Sequence, residues 1–349
     1  AKAVRRHTAA VEKQGRELLA SLRPDDKVLV LITRNYGLSD PVLNMGIPRL
    51  LLERGHKVIT LSHLPAHDLD LSEDYPNLYW PFGQHILSGA KLVAHHPNLY
   101  AVYLTNHGCG PDTMLSYLFR KEMGDKPYLQ IEVDEHFSPV GVITRIEAFL
   151  QSLEGRPAQP LPAGFSLAAV VRRPTAVAAV PERTGGPLLV PDLPPFTAYL
   201  RAYCEAAWKT ETRTLRLDST TLPLGRAETS SKEYLPFPAL LGGILTAAEV
   251  ESGPFQVLLP STQGAEADGQ YPWGVESVLE RRGLCRVKVI APELETIPER
   301  CPEPDLLVRA ILAGDFLLCA PPEQRDALAP AGVPSWAELE ALSLIHISE

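Results

Sequence analysis

Short apolar runs alternate with longer stretches of helical spacing through most of the chain. "KVLVLIT" (27–33) is a run of β-branched and leucine residues, bounded by polar residues on both sides. "VLNMGIPRLLLERG" (42–55) repeats its apolar positions at helical intervals and stops at Gly55, and "HKVITL" (56–61) returns to a strand pattern. The same alternation continues. A helix is predicted within 77–97, ending before Pro97, a strand over 99–105, a helix over 113–124, a strand over 127–133 and a helix over 140–153. The second half repeats the rhythm, with strands over 187–191, 213–217, 255–260 and 286–292. Helices are predicted there near 196–209, 234–250, 271–283 and 304–319. Strands separated by helices imply parallel sheets with helices on their faces, so the expected class is α/β.

The pattern divides the chain. An amphipathic helix occupies 1–26, a first α/β domain 27–153, a region rich in proline and alanine 154–195, and a second α/β domain 196–340. The 154–195 region reads as a linker with at most one strand. The tail "LSLIHISE" (342–349) fits neither helix nor core logic. It reads as non-native sequence translated from an adapter and is set apart from the fold.

Composition narrows the function classes. The chain has 349 residues, 45% hydrophobic and 21% charged, which is ordinary for a globular protein. A net charge of −9 disfavours nonspecific contact with nucleic acid phosphates, and no basic stripe carries interleaved aromatics. No apolar run is long enough to predict a membrane span. The first residues lack the apolar core of a secretory signal, and the five cysteines form no CxxC pair, so a reducing cytoplasm is the expected compartment. The chain does not begin with Met, which is the pattern expected of a piece that starts inside a longer protein.

In a doubly wound sheet, ligands bind outside the carboxyl ends of the strands. The loops "RNYGLSDPVLN" (34–44), "NHGCGPDT" (106–113) and "DEHFSPVG" (134–141) follow strands and are expected on one edge. They carry Arg34, Asn35, Tyr36, Asp40, Asn44, Asn106, His107, Cys109, Asp112, Asp134, Glu135 and His136. The competing explanation is capping, because aspartates such as Asp40, Asp112 and Asp134 favour turns and helix starts. Cys109 sits between two glycines ahead of a helix, a setting for a metal ligand, a nucleophile or a redox thiol, or for an inert turn residue. Glu132, Asp134, Glu135 and His136 are too adjacent to bind one ion together, so a hydrogen-bonded network is preferred there. His95 and His96 read as partners of the carbonyls that close their helix, and Arg145 as a salt-bridging residue. In the second half, Lys232, Glu233, Ser261, Gln263 and Gln270 lie on the corresponding edge. No P-loop, no GxGxxG after a strand and no nucleophile elbow occur, so nucleotide binding has no support.

Several segments carry a family resemblance. "SDPVLNMGIP", "NLYWPFGQHIL", "LYAVYLTNHGCGPDT", "PYLQIEVDEHF", "GVITRIEAFL", "SSKEYLPF", "GAEADGQY" and "RAILAGDFLL" occur in order. Together they resemble the activase-related proteins of the 2-hydroxyacyl-CoA dehydratase family, the CoA-substrate-specific enzyme activases, over about residues 5–335 and most specifically over 98–150. The resemblance implies two flavodoxin-like or Rossmann-like domains facing a central cleft. It also implies a 4Fe–4S or double-cubane cluster, an ATPase activase as domain or subunit, and one-electron transfer to an acyl-CoA in anaerobic metabolism. Cys109 matches the Gly-Cys-Gly-Pro-Asp position and is the implied cluster ligand. Tyr234 and Glu266 stand where further cysteines are implied, and the ATPase region is absent from this stretch. Cys204 has no motif match, and Cys285, Cys301 and Cys319 read as small hydrophobes. The implied alternatives are a cluster completed by a partner subunit, a degenerate scaffold that binds a partner or an acyl-CoA, and a single-thiol role for Cys109. Around such a site, Arg34, Asn35, Asn44, Asn106, Asp112, Glu135, His136, Lys232 and Gln270 are the expected ligand-binding residues.

Overall fold

A computed structural model describes residues 2–106, 109–133, 138–155, 178–182, 186–230, 232–293, 303–319 and 321. The chain forms two compact units, residues 1–174 with 265–267, and residues 175–264 with 268–349.

The first unit opens with α1 (Lys2–Ala20) and then alternates strand and helix. Its strands are β1 (Val28–Ile32), β2 (Lys57–Thr60), β3 (Leu99–Asn106) and β4 (Leu129–Val133). They form one parallel sheet in the order β2-β1-β3-β4. All five residues of β1 and the first seven of β3 are buried, as a central parallel strand covered on both faces requires. The helices are α2 (Asn35–Ser39), α3 (Ile47–Glu53), α4 (Pro81–His95), α5 (Gly110–Met123) and α6 (Pro139–Leu153). One face of the sheet packs Leu29, Leu31, Val102, Leu104 and Ile131 against Ile47 and Leu51 of α3 and Ile146 and Phe149 of α6. Burial of each such side chain contributes roughly 1.5–3 kcal/mol against chain entropy.

The helix predicted over 42–55 is shorter and covers only Ile47–Glu53. Asn35–Ser39 forms a short helix, and the next begins only at Ile47, because Met45 and Gly46 take left-handed backbone at φ 57° and 64°. A second departure concerns α5. It starts at Gly110, three residues before the predicted Thr113, with Pro111 in its first turn, where the missing N–H costs nothing.

The second unit has the same plan. Its strands β5 (Leu188–Pro191), β6 (Thr212–Leu215), β7 (Phe255–Leu258) and β8 (Val287–Ile290) are parallel in the order β6-β5-β7-β8. Thus β5, within the 154–195 region, is an interior strand of the second sheet, and Ala178 bridges to Ile290. The helices are α7 (Phe196–Trp208), α8 (Leu222–Glu228), α9 (Pro236–Val250) and α10 (Tyr271–Arg281), with a further helix over Pro304–Cys319. Leu188, Val190, Cys204, Leu258, Ile290 and Leu307 share a core. Among the described residues, no helix is long and apolar enough to cross a membrane.

Candidate functional site

Each sheet changes its winding direction at an inner pair of strands, β1 and β3 in the first unit, β5 and β7 in the second. Beyond the carboxyl ends of such a pair the loops diverge and leave room for a ligand. In the first unit that point is bounded by Arg34, just past β1, and by Cys109 and Asp112, at the start of α5.

Arg34 folds inward, its side chain 18% exposed, and grips two partners. Its Nε and Nη2 donate to Asp112 Oδ1 at 3.1 and 2.8 Å, and Nη2 also donates to Cys109 Sγ at 2.7 Å. The guanidinium carbon lies 4.4 Å above the ring of Phe82, a cation–π contact that seats the plane of the fork. Asp112 is nearly inaccessible, at 3% exposure. Its second oxygen, Oδ2, accepts the N–H of Asn106 at 2.7 Å and so ties the end of β3 to the first turn of α5. Burial works against the Arg34 charge, but the hydrogen bond and charge of Asp112, aided by Cys109, outweigh it and raise the guanidinium above its ordinary range. Among the described residues, Arg34 Nη1 has no hydrogen-bond partner. Its two N–H groups remain for an acceptor.

Cys109 is the N-cap of α5 but makes no side-chain cap bond to that helix. Its sulfur turns to Arg34, while its carbonyl accepts the N–H of Thr113 at 3.1 Å. The sulfur is half-buried, next to a cation and a helix N-terminus, two features that favour negative charge.

The other expected residues divide by location. Asn106 donates to the hydroxyl of Tyr36, which is itself 48% exposed, so both stand at the rim. Asn35 is exposed beside them. Asn44 and Asp40 serve their own turn: Asn44 Oδ1 accepts from Gly46 N at 3.1 Å, and Asp40 Oδ1 from Val42 N and Leu43 N at 2.8 and 3.1 Å. His107, Asp134, Glu135 and His136 lie outside the described residues. Lys232 and Gln270 belong to the second unit, as does Tyr234, while Glu266 is assigned to the first. Gln270 is buried at 1% exposure, and Tyr234 is 40% exposed. His95 Nδ1 lies 2.8 Å from the carbonyl oxygen of Lys91, in the last turn of α4, as its position implied. Glu147 pairs with Arg54 at 3.2 Å, and Arg145 is exposed.

The cysteines require a correction. Cys204 is fully buried, but Cys285 and Cys319 are exposed and are not core residues; Cys285 follows the end of α10 and Cys319 ends its helix. Cys301 lies outside the described residues. Phe82 went unrecognised in the sequence, where "WPFGQ" is only an aromatic helix start. No local signal pairs it with Arg34.

An iron–sulfur cluster asks for thiolates. The three implied ligand positions hold one thiol, one phenol and one exposed carboxylate, and the thiol already accepts from Arg34. Among the described residues, no three or more His, Cys, Asp or Glu side chains are grouped to hold a metal ion. These residues do not fit a cluster held by this chain alone.

Fold and switch-point geometry define a chain of two doubly wound parallel α/β units. Within it, residues 1–64, from α1 through Arg34 to β2, match the model of a family described as the CoA enzyme activase uncharacterised domain. No curated protein matches the chain. Among solved structures, the glycosyltransferase SnogD from Streptomyces nogalater aligns over 93% of this chain and 100% of its own. It is 13% identical, and its TM-score of 0.19 carries no structural likeness.

Proposed function

We propose that this protein is a ligand-binding component of a CoA-dependent, dehydratase-like activase system, with its first-unit switch point as the binding site. The observation that carries the reading is the Arg34 fork, fixed by Asp112 and Phe82 with its Nη1 edge left for an acceptor. The thioester carbonyl or carboxylate of an acyl-CoA-type ligand presents such an acceptor, and the N-terminus of α5 adds to the attraction. The match of residues 1–64 to the CoA enzyme activase uncharacterised domain supports a CoA context. An ATPase activase, as domain or subunit, is the proposed partner, and the reducing cytoplasm the proposed setting.

A second reading, iron–sulfur electron transfer, is favoured by one contact. An N–H donor on a cysteine sulfur, as from Arg34 to Cys109, is the kind of neighbour that tunes cluster thiolates. On this reading Cys109 is one ligand, and a partner subunit supplies the remaining thiolates.

Anaerobic purification followed by calorimetric titration with butyryl-CoA, and by iron and sulfide analysis, separates the two. Saturable binding by iron-free, folded protein supports the first reading. Stoichiometric iron that disappears in Cys109→Ser supports the second. Iron-free protein that binds no acyl-CoA overturns the leading reading.

A further inference from the structure

The second unit carries its own site at the matching point of its sheet. A cavity of about 630 Å³ opens beyond the carboxyl ends of β5, β6 and β7, lined by Pro191, Leu217, Leu259 and their successors in the chain. Leu222, Leu240 and Tyr271, from α8, α9 and α10, close it. This volume is that of a small-molecule site, and its walls are almost wholly apolar.

Its polar groups are the informative part. The polar edge of the cavity is formed by Asp192, Asp218 and Asp268, and among the described residues no Lys, Arg or His lines it. Helix N-termini at such an edge ordinarily supply N–H donors for anions. Here α8, α9 and α10 each carry proline in the first two positions, which removes a donor and adds an apolar ring. Asp218 Oδ1 further occupies the N–H groups of Thr220 and Thr221 at 2.8 and 3.2 Å, and its carboxylate pairs with Arg216. Asp192 Oδ1 lies 3.3 Å from Thr197 Oγ1, and Asp268 is exposed at the mouth. The edge therefore offers the acceptor oxygens of Asp192 and Asp268, while Asp218 is held by Arg216 and by the N–H groups of Thr220 and Thr221, and a proline removes one donor from each helix start.

We propose that this cavity binds a small molecule with a hydrocarbon body and a hydrogen-bond-donating, non-anionic head, an alcohol or an ammonium group. The site is separate from the Arg34 site and goes beyond the CoA reading. A charge series of equal chain length tests it on the full chain: octylamine, 1-octanol and octanoate, titrated by calorimetry near neutral pH. Octylamine and octanol are expected to bind, with octanoate at least tenfold weaker. Ala239→Trp, which fills the cavity from α9, is expected to weaken octylamine binding at least tenfold without changing the circular dichroism spectrum. Octylamine is expected to bind more tightly than octanol, and Asp268→Asn to narrow that difference. Octanoate binding as well as octylamine, no binding of any of the three, or undiminished binding by folded Ala239→Trp would each overturn the proposal. None of the probes contains CoA, so these outcomes leave the first-unit reading to its own test.

Discussion

Asp112 accepts from three donors while almost fully withdrawn from water. Removing its cation leaves a carboxylate that burial penalises. Arg34→Met is therefore expected to lower stability by about 3 kcal/mol, read as a shift of the urea midpoint. Asp112→Asn in the Arg34→Met background should recover part of that loss, because the uncompensated charge is gone. Histidines set a second prediction. Burial, helped by His67, lowers His85 from 6.5 to about 4, and burial, helped by Lys126, lowers His96 from 6.5 to about 4. Among the described residues, neither ring nitrogen of His85 has a hydrogen-bond partner, and its ring stacks on His67 at 3.8 Å. The unfolded chain thus takes up protons below pH 6.5 that the folded chain refuses until about pH 4. Stability should be insensitive to these groups above that window and decline as pH falls through it. Denaturant midpoints at pH 7 and pH 5 check this, and His85→Phe should flatten the slope.

Among the elements, α8 and α9 meet almost backbone to backbone. A Cβ on Gly225 would lie 1.8 Å from the carbonyl oxygen of Pro238, and one on Gly242 would lie 2.3 Å from that of Thr221. Gly225→Ala must push the helices apart and is expected to cost about 2 kcal/mol, measured as a lower melting temperature. The seven residues of α8, "LPLGRAE", were illegible in the sequence because proline and glycine are breakers and so short a run shows no period. The strands were legible for the opposite reason. Buried on both faces, β1 and β3 read as unbroken apolar runs between polar residues. The start of α5 was misread because Gly110, Pro111 and Asp112 have the chemistry of a turn as well as of a first helical turn.

Over the whole molecule, two sheets with one strand order place two different surfaces at equivalent points. The first presents an arginine and a thiol, the second an apolar cavity edged by carboxylates. The rim of the first site followed from strand alternation alone, since loops after parallel strands leave by the same edge. Which rim residues converge did not follow. Arg34, Cys109 and Asp112 come together through side-chain direction, whereas Asn44, on the same loop as Arg34, turns back into its own bend. The second-unit cavity was not legible in the sequence because its walls are prolines and leucines and its aspartates lie on separate loops, none of which forms a motif. The central claim is that the Arg34 fork holds an acyl-CoA-type ligand. Its most direct test compares the butyryl-CoA dissociation constants of folded wild-type and Arg34→Met protein, measured by calorimetry below the variant's unfolding midpoint. The account predicts at least a tenfold weakening; equal affinity would contradict it.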